Sequence, residues 1–183
     1  MALRAEIYRA ELSVADMDRH VFEQHTLTLA RHPSETEGRM MVRLLAFALH
    51  SDESLGFGRG LSTDGEPDLW KRDDTGAIEL WIDVGLPDEK SVRKACGRAR
   101  NVVVVAYGER RAESWWESSA AALARLENLR VLTLSDMDTA ALQSLAARSM
   151  KLACTVQDGH VWLASDTASI EITPSIRHTP ATL

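Results

Sequence analysis

The chain opens on alternation. Within residues 2–15, Leu3, Ala5 and Ile7 share one parity, and Ala10, Leu12 and Val14 share the other. A period of two marks an extended strand, and the change of phase near Tyr8-Arg9 predicts a bulge or a bend onto a second sheet. Asp16-Met17-Asp18 reads as a turn, and residues 21–31 form a second extended run, so the pair predicts a hairpin. The period then changes. Met40, Met41, Leu44, Leu45, Ala48 and Leu49 recur at helical spacing, which predicts a helix to about His50. Ser34 with Glu37 three residues on reads as its capping box, and Pro33 stops the preceding strand. Arg39 and Arg43 fall off the apolar face. Glu35 falls in the first turn, where the helix dipole favours an anion.

Leu55 to Gly60 interleaves three glycines without the lysine or the strand-to-helix context of a phosphate loop, so a tight edge strand or loop is expected. Leu69 to Arg72 is a short strand with its turn at Asp73 to Gly76. The run from Ile78 to Gly85 alternates cleanly. Ile78, Leu80, Ile82 and Val84 point one way, and Glu79, Trp81 and Asp83 point the other. Glu79 and Asp83 then stand roughly 13 Å apart by strand rise. Local antiparallel pairing would bring Asp68 beside Glu79. Carboxylates converging at a strand end are what a hard cation such as Mg²⁺ requires.

Strand and helix then alternate. Helices are predicted over Pro87 to Arg100, residues 109–126 and Ser135 to about Met150, with strands at Val102–Val105 and Val131–Leu134 between them. Such alternation implies parallel strands joined by right-handed crossovers. Hairpins return at the end. Leu152–Gln157 and Val161–Ala164 flank an Asp158-Gly159 turn, Ser169–Thr173 is a short strand, and 174–183 is a loose tail. The fold class is α/β or α+β, a mixed β-sheet with flanking helices, in a single domain over residues 1–183.

Charge changes this picture locally. The net charge of −6 argues against a general nucleic-acid coat protein. Yet residues 52–89 hold eleven acidic and three basic side chains, and residues 90–111 hold seven basic and one acidic. Lys90, Lys94 and Arg98 fall at i, i+4 and i+8 of one helix as a basic stripe. A basic stripe beside an acidic pocket suits a phosphodiester, and a solvated helix face balanced by neighbouring acids fits the same pattern. The two cysteines, Cys96 and Cys154, are far apart in apolar patterns and read as reduced, buried and inert. The histidines show no metal-ligand spacing. No run approaches transmembrane length and the N-terminal residues lack a signal-peptide core, so a cytoplasmic protein is expected, with no membrane and a monomer favoured.

Longer strings carry a resemblance. Leu29-Ala30-Arg31-His32-Pro33-Ser34-Glu35-Thr36 with Arg39-Met40-Met41, Glu66-Pro67-Asp68, Leu80-Trp81-Ile82 through Asp88, Gln157-Asp158-Gly159 and Val161-Trp162-Leu163 together resemble the YaeQ family over essentially the whole chain. That family resembles a compact variant of the PD-(D/E)XK restriction-endonuclease-like core. The resemblance implies Glu35 as the helix acid, Pro67-Asp68 as the PD, and Glu79 as the strand acid. It implies Mg²⁺ on Asp68 and Glu79. The lysine of the strand motif is replaced by Trp81, which neither polarises water nor contacts a phosphate as a cation. Lys94 or Lys90 on the basic stripe, or Lys71, is then the lysine candidate.

Two functions follow. One is a Mg²⁺-dependent phosphodiesterase with catalytic Glu35, Asp68, Glu79 and Lys94, whose backbone grip comes from Lys90, Arg93 and Arg98 and whose Trp81 stacks on a base. The other is an inactive module that binds DNA, RNA, or a transcription or repair protein through the same surface, with a relic nuclease site.

Overall fold

The computed structural model describes residues 4–61 and 65–181. Eleven strands and four helices make up these residues, in an α+β arrangement of two mixed sheets. The first sheet contains β1 (Glu6–Asp16), β2 (Val21–Arg31), β8 (Ser149–Gln157), β9 (His160–Ala164) and β10 (Ser169–Ile172), in the order β10-β9-β8-β1-β2. The second contains β3 (Leu55–Phe57), β4 (Leu69–Arg72), β5 (Ile78–Val84), β6 (Ala99–Ala106), β7 (Leu129–Thr133) and β11 (Ser175–His178), in the order β11-β7-β6-β5-β4-β3. β1 pairs parallel to β8, so the opening hairpin and the strands of residues 149–172 build one sheet.

The opening hairpin forms as the alternation predicts. Its register runs unbroken from Glu6↔Arg31 to Asp16↔Val21, so the expected bulge is absent. Tyr8 takes the inward place at the phase change, followed by Ala10, Leu12, Val14 and Asp16, while Ile7 turns outward. A tyrosine can bury its ring and keep its hydroxyl bonded, here donating to Glu37 at 2.8 Å. Leu3, the first residue of the expected apolar row, lies outside the described residues.

Helix α1 (Glu37–Leu49) begins later than the capping box predicts. Thr36 is the N-cap and accepts from the Arg39 N–H, whereas the Ser34 hydroxyl is engaged by the His32 ring. Glu35 therefore precedes the helix, and the first-turn acid is Glu37. The larger difference is burial. Met40 through Ala48 are all buried, Arg43 included. A helix with apolar neighbours on every side is the centre of a core and not a half-solvated surface element. Phe47, Met40, Met41, Leu44 and Leu45 pack with the inner rows of both sheets in one cluster. Each such side chain contributes roughly 1.5–3 kcal/mol of burial. Arg39 and Arg43 lie off the predicted apolar face, yet Arg43 is buried and Arg39 half-buried because the helix has almost no solvent side.

The other face of the second sheet is covered by α2 (Glu89–Arg98) and α3 (Glu109–Leu123), with Val92, Ala95, Ala112 and Leu123 packing on Val102, Val104, Leu129 and Val131. β5, β6 and β7 are parallel, as the strand–helix alternation implies. α4 (Asp136–Ser144) starts at a capping box of Ser135 and Asp138 but ends earlier than expected, because Ser149 onward is already β8. The tail is not loose throughout: β11 pairs antiparallel with β7 and closes the second sheet. Both cysteines are free, and burial pushes the Cys96 and Cys154 thiols up to about 11 and about 12. Among the described residues, no helix is long and apolar enough to cross a membrane.

Candidate functional site

Two guanidinium groups inside a core require counter-charges, since an unpaired buried ion is very costly. Arg43 forms a fork with Glu35, its Nε donating to Oε1 and its Nη2 to Oε2, each at 2.8 Å. Arg39 extends the chain. Its Nη1 donates to Glu35 Oε1 at 2.8 Å, and its Nη2 donates to both oxygens of Asp68 at 2.8 and 3.0 Å and to the Val84 carbonyl at 3.0 Å. The Val84 N–H donates to Asp68 Oδ2 at 2.7 Å. The result is one continuous network from Ala30 on β2 to the end of β5, with Arg39 at its middle.

Asp68 reaches this network because the loop before β4 is pinned. The Gly58 N–H donates to the Asp68 carbonyl at 2.8 Å, and a Cβ on Gly58 would stand 2.0 Å from the Pro67 carbonyl oxygen. One glycine of the interleaved segment thus serves a close backbone approach. Gly85, at φ +116°, turns the chain out of β5 directly beyond the site.

Pairing places Asp68 differently from expectation. Leu69 lies opposite Ile82, so Asp68 meets Asp83 and Val84 and not Glu79. The register of β4 and β5 also shifts between Lys71 and Arg72, which face Leu80 and Ile78. This bulge breaks the predicted alternation: Ile78 packs with Trp81 in the second core, whereas Leu80, Ile82 and Val84 pack with the first. Glu79 turns to Lys71 Nζ at 3.2 Å and Arg100 Nη1 at 3.4 Å. Lys71 also holds Asp52 at 2.7 Å, so this lysine is engaged away from Asp68.

Asp83 is the acid that sequence reasoning left out. It is half-buried, and burial raises its carboxyl to about 6; the Trp81 hydrogen bond opposes that rise, and the neighbouring Asp68 charge adds to it. Its Oδ2 accepts from Trp81 Nε1 at 2.9 Å. The signal was present in the sequence as the second carboxylate of the same strand row. Trp81 itself is 5% exposed, with the Arg98 guanidinium 5.0 Å over its ring, so the stacking face expected of it is covered. Tyr107, beyond β6, is half-buried beside the network, and burial raises its hydroxyl.

A cleft of about 520 Å³ opens over Arg39, Asp68, Asp83 and Trp81, with α2 as its far wall. Ser91, Lys94 and Arg98 line that wall. Arg98 also donates to the Gly65 carbonyl at 2.8 Å. Lys94 makes no ion pair among the described residues. Lys90, the third member of the stripe, lies outside the cleft lining, and Arg93, expected to grip the backbone, pairs with Glu89 on the helix surface.

The donor set Asp68 and Glu79 does not fit one magnesium ion. The two lie on separate clusters, and both Asp68 oxygens already accept from protein donors. Both oxygens of Glu35 already accept from Arg39 or Arg43. Among the described residues, no three His, Cys, Asp or Glu side chains converge as a metal-holding group. A guanidinium stands where the acids meet.

The chain matches the family model described as YaeQ protein over residues 1–174. It is 48% identical over 172 residues to the uncharacterized protein YaeQ of Salmonella typhi, covering 94% of this chain and 95% of that protein. The Escherichia coli K12 counterpart is 46% identical over the same length. The crystal structure of YaeQ protein from Xanthomonas axonopodis pv. citri superposes with a TM-score of 0.94 at 53% identity, covering 96% of this chain and 99% of that one. The Pseudomonas syringae YaeQ crystal structure gives 0.90 at 34% identity, covering 96% and 97%. The chain belongs to the YaeQ family.

Proposed function

We propose that the cleft binds the phosphodiester backbone of a nucleic acid and does so without a metal ion. The observation that carries this reading is the Arg39 guanidinium lying between Glu35 and Asp68. It supplies the positive charge that those carboxylates need, and it is bonded to Asp68 at hydrogen-bond distance on both oxygens. The cleft lies outside the carboxyl end of parallel strand β5, the usual position of ligand sites in such sheets. Lys94 and Arg98 face it from α2 as phosphate contacts. In a variant PD-(D/E)XK core, this is the nuclease groove kept and its metal chemistry lost.

A labelled oligonucleotide titrated by fluorescence anisotropy at low salt tests this. Binding is expected to weaken as salt rises. The double variant Lys94→Glu/Arg98→Glu is expected to bind more weakly and with a salt slope smaller in magnitude by about 2. Absence of binding to DNA and RNA alike at low salt would remove the nucleic-acid reading. An acidic surface of a transcription or repair protein would then be the partner to test.

One observation favours a second reading, the Mg²⁺-dependent phosphodiesterase. Asp68 lies directly before β4, next to the Leu69↔Ile82 pair, and its charge adds to the burial that raises the carboxyl of Asp83 to about 6, a like-charge repulsion that a cation would relieve. That activity would require Arg39 to leave Asp68. Metal-dependent cleavage that disappears in Asp68→Ala would establish it.

A further inference from the structure

One row of side chains crosses the second sheet on its helix-covered face: Val102, Trp81, Trp70 and Gly56, each opposite the next on adjacent strands. Cover thins along it. Val102 is sealed under the helices, and Trp81 is closed by Arg98. Trp70 is only half-buried, at the margin. At Gly56 the face is open, since a Cβ built there meets nothing within 4 Å. The Trp70 ring meets the Trp81 ring edge-on at 6.3 Å and 86°, and the exposed Arg72 guanidinium lies 4.1 Å over Trp70.

The Arg72 guanidinium is stacked on the Trp70 indole, and the pair forms the planar, positively charged wall of a slot whose side-chain-free floor is Gly56. Unpaired bases stack on both kinds of plane. A base inside a duplex has both faces already stacked and cannot enter. We propose that this slot, over Gly56 and against Trp70 and Arg72, takes an unpaired base of a single-stranded nucleic acid whose phosphates lie along Lys94 and Arg98. The proposal rests on the phosphodiester-binding reading above and adds that the polymer is single-stranded. Arg98 links the two parts, because the same side chain caps Trp81 and lines the cleft. The positive charge of Arg72, Arg98 and Lys94 complements the strand.

The test compares three labelled probes by anisotropy: a thymidine oligomer, an abasic oligomer of equal length, and a blunt duplex. The full chain is used, with Trp70→Ala and Gly56→Val as variants. Gly56→Val keeps the indole and fills the slot with a residue suited to a strand, so it guards against a Trp70→Ala effect that is only structural. Wild type is expected to prefer the thymidine oligomer to the abasic one by at least about five-fold. Either variant should erase that preference and leave abasic affinity unchanged. Equal affinity of the wild type for thymidine and abasic probes overturns the stacking slot and leaves phosphodiester binding standing. Preference for the duplex overturns the single-strand assignment. Binding of none of the three overturns both.

Discussion

The Arg39 guanidinium donates to both oxygens of Asp68, at 2.8 and 3.0 Å, from a helix with almost no solvent-facing side. That relationship explains the acids as much as the arginine. α1 lies between two sheets, so its polar residues at positions 39 and 43 are interior whatever their chemistry. Glu35 and Asp68 are then the counter-charges that make their burial tolerable.

Removing one member of the buried fork is expected to be costly. Arg43→Met leaves Glu35 with Arg39 alone and should destabilise by about 3 kcal/mol. The double variant Arg43→Met/Glu35→Leu should recover most of that loss, because Arg39 keeps Asp68. Urea unfolding of the two variants checks it. Equal or greater destabilisation in the double variant would contradict the counter-charge account.

Asp83 predicts a pH signature. Its carboxyl titrates at about 6 in the folded chain against an ordinary 3.8. Between those values the folded state holds a proton that the unfolded state has released. The contribution of Asp83 to stability therefore falls as pH rises from about 4 to about 6 and is flat above. Asp83→Asn lacks this slope while its amide oxygen still accepts from Trp81. Relative to wild type it should gain stability across that window, by at most roughly 3 kcal/mol at neutral pH. Thermal melts of both proteins from pH 4 to pH 8 measure the difference.

Two glycine substitutions should move in opposite directions. Gly58→Ala drives a Cβ against the Pro67 carbonyl and should cost roughly 1–3 kcal/mol, loosening the loop that presents Asp68. Gly97→Ala, in α2 with open space around it, should stabilise by roughly 0.5–1 kcal/mol. Paired melting temperatures decide this. A neutral Gly58→Ala would mean that the close approach does not constrain the loop.

Much of the architecture was legible because long periodic runs report burial directly. The opening hairpin, the strand-helix alternation around β6 and the final hairpin all follow from period. The errors are equally physical. The phase change near Tyr8-Arg9 suggests a bulge only because polarity hides an aromatic ring that buries well. Ser34 and Thr36 both have capping chemistry, and only the chain's path past His32 selects Thr36. β11 escaped notice because a four-residue edge strand lacks enough residues to show a period. The site was half legible. Asp68, Lys94 and Arg98 line the same cleft, as the charge pattern and the resemblance implied. Glu79 does not join them, since a bulge and a register fixed by Leu69↔Ile82 are pairing properties invisible along one strand. The burial of Arg43 and half-burial of Arg39 are not legible, because helical period gives an apolar face but not how many sheets will cover the helix.

Whether the cleft binds nucleic acid without a metal decides between the two readings. The most direct measurement is nucleic-acid binding by the wild type in excess EDTA and in millimolar Mg²⁺, with the recovered strands run on a denaturing gel. Equal affinity in both conditions and intact strands are the predicted result. Binding that appears only with Mg²⁺, or strands cut only when it is present, would show that Arg39 yields its place to a metal and would contradict the account.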